Sequence, residues 1–281
     1  MKDNVQAARA ARFKQLHERE GLFVIPNPWD AGSAKLLAAM GYEALATTSA
    51  GLAWMLGKAD GEAAVTREES MQNAREIVGA TGLPVAADLE NGYGDDPEDC
   101  ALTILRAAEE GLVGGSIEDA TGRPADPIYP FELAVERVKA AVKAARSLPF
   151  PFMLAARAEN LINGRPDLSD TIRRLEAYAA AGADVLYAPG LKTREEVRAV
   201  VRAVAPRPVN VLAGTAVLQV PLAELAELGV KRVSLGSALA RSAYGMLMAA
   251  AEGIRLHGDL GFVGRTVPYA TINDLLKKSY P

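Results

Sequence analysis

The stretch PVAADLENGYGDDPED, residues 84–99, sets a crowd of carboxylates directly behind a short apolar run. Carboxylates that close repel one another, so either water solvates them or a cation sits among them. Asp88 and Glu90 end the apolar run and lie two residues apart, which on a strand puts both side chains on one face. Glu118, at the end of the later run GGSIE, and Asp60, in GKADGE, bring two further oxygen donors. Such a set suits a hard divalent cation held by carboxylates and water, with Mg²⁺ the best fit and Mn²⁺ an alternative. The competing reading is a solvated turn that runs into a helix start. It is adopted for Asp95, Asp96, Glu98 and Asp99, which flank Pro97.

Arg157 closes another apolar run, FMLAAR, where an unpaired guanidinium would be costly, so it must face an anion. That anion is either a substrate's or the carboxylate of Glu118 or Glu159, and the two are compatible if the bridge opens to substrate. In TTSAGLAW the small residues Ser49, Ala50 and Gly51 leave backbone N–H groups uncovered, a geometry that can cradle a carboxylate, although small residues also serve tight strand-to-loop packing. Trp29, in PNPWD, is a candidate for the lining of the same mouth. Cys100 falls among apolar helix positions and reads as a packed small hydrophobe. His17 and His257, the two histidines, sit in charged, helix-like or loop surroundings and receive no role.

Elements that could position these residues recur along the chain. Short apolar runs ending in turn residues are LFVIPNPWD, EALATTSAG, LPVAADLENG, GGSIEDATG, FMLAARAEN, DVLYAPG, RPVNVLAG and KRVSLGS. Helix-like stretches such as DAGSAKLLAAMG, TREESMQNAREIVGATG, DPEDCALTILRAAEEG, PFELAVERVKAAVKAARS and LSDTIRRLEAYAAAG alternate with them. Eight strand–helix units predict a (β/α)₈ barrel in one domain spanning 1–281, with an open doubly wound sheet as the competing arrangement. Polar residues gather at the ends of the apolar runs, the face on which barrel enzymes build their sites. Beyond the eighth unit, residues 239–281 form a helical tail. Its apolar character fits packing on a partner subunit as well as on its own barrel.

Hydrophobic residues make up 49% of the chain and charged residues 23%, enough for a sizeable core. The net charge is −4 with basic residues scattered, which argues against a nucleic-acid partner. No run approaches the length of a membrane span, and the N-terminus lacks the apolar core of a signal peptide, so a cytoplasmic protein with no membrane partner is expected. One cysteine and two histidines make a Cys/His zinc site a poor expectation, so a metal would rely on carboxylates.

With these residues placed, the chain resembles the isocitrate lyase and phosphoenolpyruvate mutase superfamily from FVIPNPWDAGSAKLL to RVSLGSALARSAYG. The resemblance rests on TTSAGLA, on Asp60 in GKADGE, on DLENGYG against a D-x-D-x-G-[FY]-G pattern, on IED and on ARAE. It implies a barrel that binds Mg²⁺ and cleaves or forms C–C or P–C bonds next to a small 2-oxo acid. It also implies a homo-oligomer, dimer or tetramer, with C-terminal helices swapped between subunits. Asp88 would then be the direct metal ligand, with Asp60, Glu90 and Glu118 on metal-bound waters. Ser49, Ala50 and Gly51 would bind the substrate carboxylate beside Arg157, and Arg157 and Glu118 would serve the chemistry.

Two departures narrow the expectation. Glu90 replaces the second aspartate of the family pair, and the loop after IED reads ATGRPADPIYP, without the K-[KR]-C-G-H motif of the isocitrate and methylisocitrate lyases. The proton donor of isocitrate lyase is absent, and the lost lysine weakens a mutase reading, although Arg123 offers a positive charge. The resemblance then points to an Mg²⁺-dependent C–C lyase working through a metal-stabilised enolate, with decarboxylation of oxaloacetate the first choice. Phosphonate P–C chemistry, of the phosphoenolpyruvate mutase or phosphonopyruvate hydrolase type, or 2-oxo acid binding without turnover, are the alternatives. The stretches LYAPGLKT and NVLAGTAV would line the far side of the pocket.

Overall fold

Each of the eight apolar runs becomes one strand: β1 (Phe23–Ile25), β2 (Leu45–Ala46), β3 (Val85–Asp88), β4 (Gly114–Glu118), β5 (Met153–Arg157), β6 (Val185–Tyr187), β7 (Val209–Leu212) and β8 (Arg232–Ser234). The computed structural model describes residues 2–213 and 219–278. All neighbouring strands run parallel, and β8 returns to pair with β1 in register Phe23↔Arg232. The seam between β1 and β2 carries no ladder, but the Ala46 N–H donates to the Pro26 carbonyl at 3.1 Å. Asn27 bolts the same seam: its Nδ2 donates to the Thr47 carbonyl, and its Oδ1 accepts from the N–H groups of Leu235 and Gly236, all at 2.9 Å. The result is a nearly closed (β/α)₈ barrel, as the alternating pattern predicts.

Alternation along the strands sorts the side chains. Leu154, Ala156, Leu186, Val209, Val211 and Val233 point outward; Leu154 packs with Ala141, Ala144 and Ala145, and the others under the surrounding helices against Val138, Leu175, Val197 and Val200. Several surrounding helices start where their sequence supplies a cap. Asp30 with Ser33, Thr66 with Glu69, and Thr193 with Glu196 satisfy one another's backbone N–H groups in reciprocal boxes. The helices over Arg194–Val204 and Leu222–Glu227 complete the ring beyond the five stretches picked out above.

An N-terminal helix, Lys2–Glu18, closes the barrel from below, with Ala10, Phe13 and Leu16 packed on Phe23, Ala44, Val113 and Met153. This places His17 in the core rather than in the charged surroundings its neighbours suggest. Its ring lies edge-on to Phe13 and Phe23, and its Nδ1 is 2.9 Å from the Phe13 carbonyl. Burial, reinforced by the Arg232 charge, lowers the imidazole from 6.5 to about 3. Between those values the unfolded chain binds a proton that the folded chain refuses, so stability is lost as pH falls through 6.5. At pH 5 the expected loss is about 2 kcal/mol. Urea unfolding from pH 7.5 to 4.5 should show it, and His17→Gln, which cannot titrate, should lose correspondingly less. Equal slopes in both proteins would contradict this account.

Past β8 the chain forms the helix Ala238–His257, a 3₁₀ turn Gly261–Arg265 and a last helix Tyr269–Lys277. The last helix lies along the helix Ala31–Ala39, where Lys35 Nζ reaches the Leu276 carbonyl at 3.4 Å. Trp54 meets Tyr244 edge-on at 6.2 Å. Much of the tail's apolar surface is nevertheless uncovered: Leu247 is 63% and Tyr269 86% exposed, with Met246, Met248 and Leu256 beside them. No helix among the described residues is long and apolar enough to cross a membrane.

Candidate active site

Three strand ends bring Asp88, Glu118 and Arg157 together at the C-terminal mouth of the barrel. Arg157 Nη1 pairs with Asp88 Oδ1 at 2.8 Å, and its Nη2 with Glu118 Oε2 at 3.1 Å and Glu159 Oε1 at 2.8 Å. Its guanidinium also lies 4.9 Å from the centre of the Tyr187 ring. The anion that Arg157 faces is therefore a cluster of the chain's own carboxylates. Asp88 is fixed from the other side by Ser49, whose hydroxyl and N–H donate to Oδ2 at 2.9 and 3.3 Å. Behind them Asp119, which is buried, accepts from the Glu159 N–H, the Tyr178 hydroxyl and Arg174, and so holds the loop that carries Glu159.

Glu90 arrives by a different route from the one its spacing suggests. The strand ends at Asp88, and Glu90 and Tyr93 adopt left-handed backbones with φ of 47° and 59°. The two-residue alternation therefore no longer governs Glu90. A turn returns it to the mouth, tied by its N–H to Asp88 Oδ1 at 3.4 Å and by its carbonyl to the Glu118 N–H at 3.0 Å. Left-handed conformations at non-glycine residues cost of order 1 kcal/mol each and persist where surroundings impose them. Gly92 within the turn has φ of 84°, and a Cβ there would stand 3.0 Å from Cys100 Sγ, so glycine is required. Cys100 itself is buried, and burial pushes its thiol up to about 11, which suits a packing residue.

Beyond Gly94 the acids take structural roles. The Asp96 N–H donates to Asp99 Oδ2 at the start of the helix Pro97–Glu109, as a helix-start reading requires. Asp95 departs from that reading: it pairs with Arg123 at 2.8 Å and accepts from the Tyr129 hydroxyl at 2.5 Å. Arg123 is thereby held away from the barrel axis, over the outer groove shared with Tyr93 and Asp95. The loop after Glu118 closes on itself as a short hairpin, with Ala120 bridged to Ile128 and the Thr121 N–H on the Pro127 carbonyl.

Two adjoining cavities of about 260 and 230 Å³ open at the mouth and share Ser49, Asp60, Arg157 and Ile162. The first runs down past Asp88 into the barrel; the second holds Glu90, Glu118 and Glu159. The stretch TTSAGLAW is the start of a helix, Ser49–Met55, rather than an open cradle. Thr48 Oγ1 caps the Gly51 N–H at 3.3 Å, and the Ser49 N–H is turned to Asp88. Ala50 lines the first cavity. Trp29 lines neither cavity: its side chain packs beside Gly51, and its carbonyl accepts from Asn73. Tyr187 of LYAPGLKT and Asn210 and Leu212 of NVLAGTAV line the first cavity, while residues 214–217 of the latter lie outside the described residues. Sequence reading passed over Ser116 and Arg232 as wall residues of the first cavity, for their strands alternate too briefly to show which side faces inward.

The electrostatics bear on a cation. Asp60, Asp88, Glu90, Glu118 and Glu159 face one guanidinium, Arg157. Burial, then Asp88 and Asp60, push Glu90 up to about 7. Withdrawal from water on its mouth-facing side, then Asp88, raise Asp60, and burial raises Glu118 despite Arg157. Acids held above their ordinary range for want of positive charge are a donor set that a divalent cation would relieve. Among the described residues no three acidic, histidine or cysteine side chains stand close enough to enclose an ion directly.

Comparison with known proteins agrees with the fold. The sequence model of the phosphoenolpyruvate phosphomutase family matches residues 13–255. A crystal structure from Burkholderia cenocepacia, provisionally named a lyase/mutase, is 54% identical, covers 98% of each chain and superposes with a TM-score of 0.94. Oxaloacetate decarboxylase of Paraburkholderia xenovorans is 31% identical over 206 residues, 69% of this chain and 65% of its own. Oxaloacetate acetylhydrolase in complex with oxalate is 26% identical, covers 95% of this chain and 93% of its own, and has a TM-score of 0.85. With a family match running from the helix beneath the barrel to the helix beyond β8, the chain belongs to the isocitrate lyase and phosphoenolpyruvate mutase superfamily of enzymes, among carbon–carbon lyases and apart from isocitrate lyase itself.

Proposed function

We propose that this protein is an Mg²⁺-dependent lyase that breaks a C–C bond next to the carbonyl of a small 2-oxo acid, with decarboxylation of oxaloacetate the first assignment. The observation that carries it is the pairing of a surplus of carboxylates around Asp88 with a neighbouring loop, residues 120–130, that has no Cys, Lys or His to act as an acid. Decarboxylation asks least of such a loop, because carbon dioxide leaves without a general base.

Asp88 would hold the ion directly, while Asp60, Glu90 and Glu118 would orient its waters. When bound, the ion supplies the positive charge that stabilises the electron pair left on the substrate as the bond breaks. With Asp88 holding the ion, Arg157 Nη1 would be free to face the substrate carboxylate in the cavity that Ala50 also lines. Glu118, which burial raises above the usual carboxylate range, lines the adjoining cavity beside that position. A cavity of about 260 Å³, near the lower end of ligand pockets, has room for a substrate of this size.

Proton and phosphorus NMR of the purified protein with Mg²⁺ and a panel of 2-oxo acids tests this directly. Pyruvate formed from oxaloacetate, and abolished by EDTA, is the expected result. Phosphate released from phosphonopyruvate would support the P–C alternative instead, which is kept because a Burkholderia cenocepacia structure 37% identical is provisionally named a phosphonomutase. Binding without turnover across the panel would favour a protein that has kept the pocket and lost the reaction.

The open apolar face of the tail supports an oligomer. Light scattering should give a dimer or tetramer, and Leu247→Asp with Tyr269→Asp should shift it to monomer. A monomeric wild type would rule the assembly out.

A further inference from the structure

The inner end of the first cavity holds a charge that the steps above do not use. Arg232 opens β8 with its side chain inside the barrel, 7% exposed, on a wall shared with Asn210, Ser234 and Tyr187. Its Nε donates to Asn210 Oδ1 at 2.9 Å, Asn210 Nδ2 donates to Ser234 Oγ at 2.9 Å, and Nη1 lies 3.5 Å from His17 Nε2. Among the described residues Nη2 has no protein partner, and no carboxylate pairs with the group.

The other deeply buried arginines are matched, apart from Arg137 Nε, which has no hydrogen-bond partner among the described residues. Arg157 and Arg174 face carboxylates, and Arg137 donates to the carbonyls of Asn91, Asp95 and Asp96. A buried guanidinium with no counter-anion is costly to keep, and here it is kept beside open space. That space exists because Ala46, Ala86 and Ser116 stand on the cavity wall, at a level where barrel interiors usually carry bulky branched side chains. The same cavity is lined at its outer end by Asp88 and Arg157, so one small molecule can reach from the carboxylate cluster to Arg232.

We propose that Arg232, positioned by Asn210 and Ser234, is an anion subsite for a second carboxylate at the far end of the substrate, so that the site is built for 2-oxo diacids rather than monoacids. This rests on the reading that a 2-oxo acid is held at the mouth. The subsite is part of specificity: a diacid spans the cavity with both ends paired, whereas pyruvate leaves Arg232 without an anion.

Malate and lactate are unreactive reduced analogues that differ by the second carboxylate, and calorimetric titration of the Mg²⁺-loaded protein with each is the test. Malate is expected to bind roughly 10- to 100-fold more tightly to the wild type. The preference should fall to within about threefold in Arg232→Met. Asn210→Asp guards against a folding failure of that variant, because it keeps Arg232 in place and supplies the anion from within; it should lose the preference as well. Equal affinities in the wild type, or a preference that survives in either folded variant, overturns the subsite while leaving 2-oxo acid turnover standing. If the wild type neither turns over any 2-oxo acid nor binds either analogue, the proposed function falls and the subsite with it.

Discussion

Asp88→Asn is expected to lower kcat/KM by roughly 10²- to 10³-fold while leaving the fold intact, because it removes the charge that would hold the cation but little of the packing. Arg157 keeps Glu118 and Glu159 in the variant, so no buried guanidinium is stranded. The loss of one acid also relieves Glu90 and Asp60, both of which Asp88 raises. The melting temperature of the metal-free variant should therefore match or exceed that of the wild type, while the increase that Mg²⁺ gives the wild type disappears. Glu90 adds a pH signature. With its carboxyl near 7 in the metal-free protein, cation binding must displace a proton below that pH. Mg²⁺ affinity should rise with pH up to about 7, by as much as tenfold per unit, and flatten above it. Titration in buffers of different ionisation enthalpy would report the released proton. Full Mg²⁺-dependent turnover by Asp88→Asn would falsify the assignment of the metal site.

The residues that sequence located best are those whose placement follows from strand alternation alone. Asp88, Glu118 and Arg157 end apolar runs, and a parallel barrel sends the ends of all such runs to one mouth. Glu90 was found for a reason that does not operate, since its backbone is left-handed and no longer part of the strand. Gly51 was misplaced because Thr48 was not recognised as a helix cap, and a capped N–H has nothing left for a ligand. Trp29 stands just past a strand end, with its Cβ against Gly51, yet lines neither cavity. Arg232 was hidden in KRVSLGS, where a charged pair before a short run reads as a solvated strand start. Only the small residues of three other strands, Ala46, Ala86 and Ser116, reveal that the space in front of it is open. That information is spread over 70 residues and assembled only by the fold.

Arg157→Met should be the most damaging single change for stability, at about 3–5 kcal/mol near neutral pH. The methionine fills much of the same volume, so the cost is electrostatic: Glu118 and Glu159 are left buried together with no cation between them. The pH dependence separates this from a packing defect. Burial already raises both carboxyls above 4.5, with Arg157 opposing the rise, so removing it raises them further. A carboxyl whose folded pKa lies above its unfolded value makes the folded state bind more protons, and stability then falls as pH rises through that interval. The deficit of the variant should therefore be small at pH 5, where the acids accept protons, and widen toward pH 8, whereas a cavity would cost the same at both. Mg²⁺ should narrow the gap at pH 8 by supplying charge to the same cluster. Urea unfolding of both proteins at pH 5 and pH 8, with and without Mg²⁺, gives the four deficits needed. A deficit that does not grow with pH would mean that Arg157 matters for its packing and not for the charge it places among these acids.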